Sequence, residues 1–316
     1  MHIGIIANMD KPLAGTTLDA LSAAAGPLGI RFVLPADAPS EAFPHLPGAR
    51  KVAPSRFGLG LDAVLSLGGD GTVLRAIRAL RGRETPVLGI NLGHLGFLTA
   101  VPAEAATDAL SALADGRFAV REAPLLEARL QRGSAEENAE TQKKSEYSDC
   151  SEYSDFSSSP KSGLFALNDV VIGWGATPRS AMIDLAVDGE SVASYVADGF
   201  IVATPLGSTG HALSAGGPIL HPDASALVLA PICPHTLSTR PLVLPDSAHI
   251  TLSLPPACKE LLLSVDGQSL GWMRPGDRLT VRRAARSARF IHLPTYSWPR
   301  LLAQKLHWRG SSAEPK

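Results

Sequence analysis

Two segments, Ile3-Gly4-Ile5-Ile6-Ala7 and Ala63-Val64-Leu65-Ser66-Leu67, constrain the fold more than any other feature of the chain. Each is a near-continuous apolar run of strand length, as expected when both faces of a strand are covered. Further strand-like and helix-like stretches alternate with them: Thr16 to Leu28, Arg31 to Leu34, Val73 to Arg81, and Val87 to Ile90. That alternation predicts an α/β domain, a parallel sheet flanked by helices. From about Leu125 the rhythm changes to short β-branched runs divided by turn signals, among them Asp188-Gly189 and Asp266-Gly267, which predict hairpins. Val170 to Ile172, Ile183 to Val187, Phe200 to Ala203, Ile250 to Leu254, Leu261 to Val265 and Leu279 to Arg282 are the candidate strands. The expected organisation is an α/β domain over 1–123 and a mostly antiparallel, all-β domain over 124–292. The tail, 293–316, has helical spacing from Tyr296 to Trp308 and is assigned to the first domain. At 316 residues the chain can bury two cores without covalent staples.

Residues 131–163 are dominated by Ser, Glu, Lys and Asp, and bury too little apolar area to offset their ordering entropy. They are expected to form a disordered insertion at a hairpin tip, outside the active site. The competing reading is a phosphorylation or partner-binding segment. A formal net charge of −1 gives no sequence-wide argument for nucleic acid or an anionic membrane, so a small soluble ligand is the expected partner. The three cysteines, Cys150, Cys233 and Cys258, form no C-x-x-C pair, which suggests a reduced, cytoplasmic protein. Every apolar stretch is interrupted well short of the roughly 20 residues that a spanning helix needs.

Directly after Leu67 comes Gly68-Gly69-Asp70-Gly71-Thr72. Glycines followed by a helix N-terminus suit a phosphate, yet Asp70 would repel one. A carboxylate there makes sense if it binds a metal or takes a proton from a nucleophile, which points to phosphoryl transfer. The structural alternative makes Asp70 the N-cap of the helix through Val73. No G-x-x-x-x-G-K-[ST] and no G-x-G-x-x-G after the first strand is present, and no His-based metal spacing appears.

Three other segments belong with this turn. Asn91-Leu92-Gly93-His94-Leu95-Gly96-Phe97 follows a strand and falls at the same C-terminal edge, with Phe97 either covering a flat ring or lying in the core. Asn168-Asp169 interrupts a buried-strand pattern, and burying such a pair unpartnered is costly. Its amide suits a purine edge and its carboxylate ribose hydroxyls, unless the pair belongs to a structural network. Asp198-Gly199 leads through an apolar strand into the small-residue run Thr204 to Pro218. Hydroxyls of Thr204, Ser208, Thr209 and Ser214 offer neutral hydrogen bonds to ribose or phosphate.

Taken together, Leu67 to Thr72, Gly89 to Leu98, Leu167 to Ile172, Asp198 to Pro218, Arg240 to Leu244 and Ser264 to Gln268 resemble the bacterial NAD kinase family in residues, order and spacing. The resemblance implies ATP-dependent phosphorylation of the adenosine-ribose 2′-hydroxyl of NAD, giving NADP, with a divalent cation such as magnesium. It also implies a homo-oligomer, dimer or tetramer, whose neighbouring subunits complete each site. Carried over residue by residue, Asp70 would be the general base. Asn168 would contact adenine, Asp169 a ribose, and Asp198 and Gly210 the nicotinamide end, with Thr209 and Ser214 lining the pocket between. Gly71, Phe97 and His211 would also meet NAD, and Gly68, Gly69, Gly71 and Thr72 the phosphates of ATP.

The chain departs from the family pattern at four places. His211 replaces a tyrosine, Leu206 a Thr or Ser, Val196 an arginine, and Asp169 a frequent glutamate. Altered affinity or donor preference is the expected consequence. The rival readings are a non-catalytic NAD(P)-binding sensor on the same scaffold, and a lipid kinase sharing the glycine turn.

Overall fold

The computed structural model describes residues 1–99, 101–133, 163–175, 180–256 and 258–308. Most of the proposed insertion, 134–162, lies outside the described residues. Its first described residues are hydrogen bonded: Arg132 donates to Asp277 Oδ2 at 2.6 Å and Gly133 N–H to Asp277 Oδ1 at 3.0 Å. A buried carboxylate thus holds residues 132–133 in packed structure.

The chain divides into two compact units, Met1–Glu122 with Ala288–Lys316, and Ala123–Ser287. In the first, strands Arg50–Val52, Arg31–Pro35, His2–Ala7, Ala63–Gly68 and Val87–Asn91 lie side by side in that order, all parallel. Helices Ala14–Ala25 and Ala106–Ala114 supply apolar side chains to one core with these strands. Every residue of Ala63–Gly68 and of Val87–Asn91 is buried, and apart from Ser66 and Asn91 their sequences are apolar on both faces. The tail forms helix Trp298–Lys305, with proline in its first turn.

The second unit is antiparallel. One sheet orders Leu242–Pro245, Ala226–Ile232, Gly199–Ala203, Asp169–Gly173, Leu261–Val265 and Gln268–Met273. The other includes Glu190–Ala197, Ala181–Val187 and Ile250–Ser253. Leu126, Ile183, Leu252, Val170, Phe200 and Leu263, drawn from both sheets, share one core. Val171, Ile201 and Ala203 face the opposite way, onto Ala212 of the short helix His211–Ser214. Central strands covered on both faces read as continuous apolar runs, and this arrangement brings the small-residue segment against the sheet. Asp188 and Asp266, at φ 52° and 48°, are each followed by a glycine at positive φ, which makes both hairpin turns type I′.

No helix among the described residues is long and apolar enough to cross a membrane.

Candidate functional site

The glycine turn lies at the C-terminal end of Ala63–Gly68, where helix Asp70–Ala79 begins. Gly69, not Asp70, is the N-cap, so the structural alternative for Asp70 does not hold. The Asp70 carboxylate instead accepts from the N–H of Phe97 (2.8 Å) and of Leu98 (2.9 Å), with Thr99 Oγ1 at 3.4 Å. An ionised carboxylate offers about four acceptor positions, so capacity is left for a hydroxyl proton or a cation.

Three glycines make this possible. A Cβ on Gly96 would stand 1.9 Å from Asp70 Oδ1, one on Gly68 2.1 Å from Thr72 Oγ1, and one on Gly89 2.2 Å from the Leu98 carbonyl oxygen. Gly69 and Gly71 differ: a Cβ on either would meet nothing within 4 Å, and neither adopts positive φ. Neither internal packing nor conformation demands glycine at those two positions. Helix starts leave their first N–H groups without intrahelical partners, and here they emerge beside these two glycines. Thr72 is turned inward, its N–H donating to Gly69 O at 2.9 Å and its hydroxyl lying against Gly68. Its hydroxyl thus lies within the turn, where the phosphate contact expected of Thr72 is not tested.

Neighbouring segments frame the turn. Asn8 N–H donates to Leu67 O (2.9 Å) and Leu92 N–H to Gly68 O (3.0 Å). Asn91 is buried, its Oδ1 accepting from Gly93 N–H at 2.8 Å. Lys11, which sequence reasoning passed over, has its Nζ 3.8 Å from the Cβ position of Gly93. Its signal was only a lone cation shortly after the first strand. Phe97 is half-buried, with Lys305 Nζ 5.8 Å from its ring centroid.

In the second unit the buried-strand pattern interrupted by Asn168-Asp169 forms two strands, Leu164–Ala166 and Asp169–Gly173. Between them the chain is held from two sides. Asp266 accepts from the N–H groups of Leu167 (3.0 Å), Asn168 (2.7 Å) and Asp169 (3.3 Å). Thr204 donates its hydroxyl to Leu167 O (2.6 Å) and its N–H to Asn168 O (2.9 Å). Asp169 is buried; that burial, and then the Asp266 charge, push its carboxyl up to about 6.

The hydroxyls of Thr204 and Ser208 were expected to face a ligand, and the structure corrects this. Both residues are fully buried, and Ser208 Oγ donates to Pro205 O (2.6 Å) while accepting from Leu220 N–H (3.0 Å). Thr209 is half-buried and donates to Leu206 O at 3.0 Å. Gly210, His211 and Ser214 are exposed.

Ala203 pairs with Asp169, so Asn168, Asp169 and the 204–214 segment converge at one end of the sheet. Asp198 does not join them. It precedes the opposite end of Gly199–Ala203, five residues or about 17 Å along the strand from the Asp169 level at ~3.4 Å per residue.

The chain matches the family models for the ATP-NAD kinase N-terminal domain over residues 37–118 and the ATP-NAD kinase C-terminal domain over 167–293. It is 40% identical to an NAD kinase of Gemmatimonas aurantiaca across 80% of this chain and 79% of that protein. An NAD kinase of Moorella thermoacetica is 36% identical across 98% of this chain and 90% of its own. Among solved structures, a yeast NADH kinase complexed with NADH superposes with a TM-score of 0.78 at 25% identity, covering 100% of this chain and 90% of that one. An Archaeoglobus fulgidus NAD kinase in complex with ATP shares the fold, with a TM-score of 0.69 at 24% identity over 98% and 100% of the two chains.

Proposed function

The chain belongs to the NAD kinase family and phosphorylates NAD with ATP as donor, and from that premise we propose that Asp70 is its general base. Asp70 takes the proton from the 2′-hydroxyl of the adenosine ribose as that oxygen attacks the γ-phosphorus of ATP, and the bond from that phosphorus to the bridging oxygen breaks to release ADP. One observation carries this reading: a carboxylate clamped by two backbone amides, in a turn whose Gly69 and Gly71 face open space. Preorganisation is what a positioned base requires. Phosphoryl transfer needs positioning and charge neutralisation more than covalent chemistry, and the N–H groups opening helix Asp70–Ala79 supply part of that.

Asn168 and Asp169 are assigned to the adenosine of NAD, and Phe97, Thr209, Gly210, His211 and Ser214 to the rest of the dinucleotide. Gly68, Gly69 and Gly71 are assigned to the donor's phosphates. Among the described residues no three His, Cys, Asp or Glu side chains are grouped to hold a metal. The donor set fits magnesium, which is commonly held by one or two carboxylates together with substrate phosphates and water. Asp70 is the carboxylate available at the turn, and the bound cation would neutralise phosphate charge.

We infer a homo-oligomer with shared sites. Asp198 and Gly210 flank opposite ends of strand Gly199–Ala203 in the chain, which favours their serving different sites. Asp198 therefore serves the site of a neighbouring copy. Mixing an Asp70→Asn variant with an Asp198→Ala variant tests both assignments, with NADP detected by an NADP-specific dehydrogenase. Each variant alone should be nearly inactive, and subunit exchange should restore activity at sites that combine an intact Asp70 with an intact Asp198. An Asp70→Asn protein with near wild-type turnover would remove the base assignment. No recovery on mixing, with exchange verified, would place Asp198 in its own subunit's site.

A further inference from the structure

Asp266 has no place among the groups assigned to NAD, yet three successive N–H groups of the Leu167–Asp169 segment point at its carboxylate. Its own N–H returns a bond to Asp169 O at 3.0 Å. From the other side Thr204 takes the carbonyls of Leu167 and Asn168, and its Oγ1 accepts from Gly207 N–H at 3.0 Å. The strand is broken at this point; the Asp266 carboxylate takes the three N–H groups and the Thr204 hydroxyl the Leu167 carbonyl, while backbone N–H groups of Thr204 and Asp266 meet the carbonyls of Asn168 and Asp169. Gly207 completes the arrangement, because a Cβ there would stand 2.0 Å from Asn168 O.

We infer that Asp266 and Thr204 form a two-sided clamp of positioning residues for NAD recognition, fixing the Leu167–Asp169 backbone so that Asn168 and Asp169 meet the adenosine in a preset orientation. The inference rests on the assignment of those two residues to NAD. With every backbone group of the segment engaged, its main chain need not reorganise to bind, which lowers the ordering cost of association.

The clamp also has an electrostatic signature. The strands on either side of Asp169, Gly199–Ala203 and Leu261–Val265, contain no charged residue, and among the described residues Asp266 is the charge that raises its carboxyl after burial. Ribose hydroxyls donate to an ionised carboxylate, so NAD binding should weaken as pH falls through about 6, the value to which burial and then Asp266 push Asp169.

The test is steady-state kinetics of the full chain across pH 5–9, with thermal melts to confirm folding. Asp266→Asn substitutes donors for part of the acceptor set, and should raise KM for NAD about tenfold while leaving kcat within about threefold. It should also move the acid limb of kcat/KM for NAD to lower pH, because Asp169 loses its neighbouring charge. Lost stability alone would move neither KM of the folded fraction nor the acid limb. Thr204→Val should raise KM several-fold with Thr204→Ser close to wild type, which keeps the test in force if the Asp266 variant fails to fold. Unchanged KM in the folded clamp variants overturns the inference. Asp169→Asn separates the two levels: unchanged KM there removes the NAD assignment itself, whereas raised KM there with silent clamp variants removes only the clamp.

Discussion

At the glycine turn of the first unit, backbone amides of Phe97 and Leu98 hold a carboxylate; at the broken strand of the second, a carboxylate holds the backbone amides of Leu167, Asn168 and Asp169. The hydrogen bonds are chemically alike and the roles are reversed. In the first case the immobilised group is the side chain proposed as the base. In the second it is the main chain, and the side chains proposed to meet NAD project from it. A base needs a fixed carboxylate at one point, whereas recognition of adenosine needs two adjacent side chains in register. Damage to the first arrangement should therefore appear in kcat and damage to the second in KM for NAD.

The largest effect expected is that of Asp70→Asn, a fall in kcat of about 10²–10⁴ with little change in KM for NAD. Because the new amide turns a donor toward Phe97 or Leu98 N–H, some lost stability should accompany it. An equal fall in kcat and rise in KM would erase the division between the two regions. Gly96→Ala comes next. Its Cβ would collide with Asp70 Oδ1, and displacing a catalytic group by about 1 Å can cost roughly 10²-fold in turnover. Wild-type kcat in a folded Gly96→Ala protein would mean that the Asp70 position is not what limits the reaction.

Gly207→Ala is the counterpart in the second unit. The new methyl presses on Asn168 O, which is backbone and cannot rotate away, so KM for NAD should rise about tenfold with kcat nearly preserved. Steady-state kinetics at saturating ATP would separate the two parameters.

Glu127→Gln sharpens the comparison as a control of the smallest effect. Burial opposes ionisation of Glu127, but hydrogen bonds from Arg129 and Arg282, reinforced by their charges, outweigh it and hold the carboxyl below its usual range. Its stabilising contribution is complete above the ordinary value of 4.5 and is lost as pH falls through the lower folded value. The variant should lose about 1–3 kcal/mol of stability near neutrality, show a shallower acid decline in melting temperature, and keep both kcat and KM. A change in either kinetic parameter would show that the second unit's core is coupled to its site.

Much of this molecule is written locally. The runs Ile3–Ala7 and Ala63–Leu67 announce strands covered on both faces, and the hairpins at Asp188-Gly189 and Asp266-Gly267 follow from residues that tolerate positive φ. The glycine turn is equally legible, because its position after a buried strand is a matter of adjacent residues. Side-chain direction was not. Thr204 and Ser208 read as ligand-facing hydroxyls in a small-residue run, but Thr204 answers to Leu167, 37 residues away, and Ser208 to Leu220. Asp266 read as a turn residue, since nothing near it in sequence announces the three N–H groups that it satisfies.

The sequence by itself determined which segments form buried strands, where the chain turns sharply, and which carboxylates and amides stand at strand ends. These depend on periodicity and backbone conformation over a few residues. Only the tertiary structure decided that Asp70 is held by a loop 27 and 28 residues further on, and that Asp266 holds a segment 97 to 99 residues before it. The reason is physical. A buried polar group must find a partner, and which partner it finds is fixed by the strands that packing brings together, not by its neighbours in the chain.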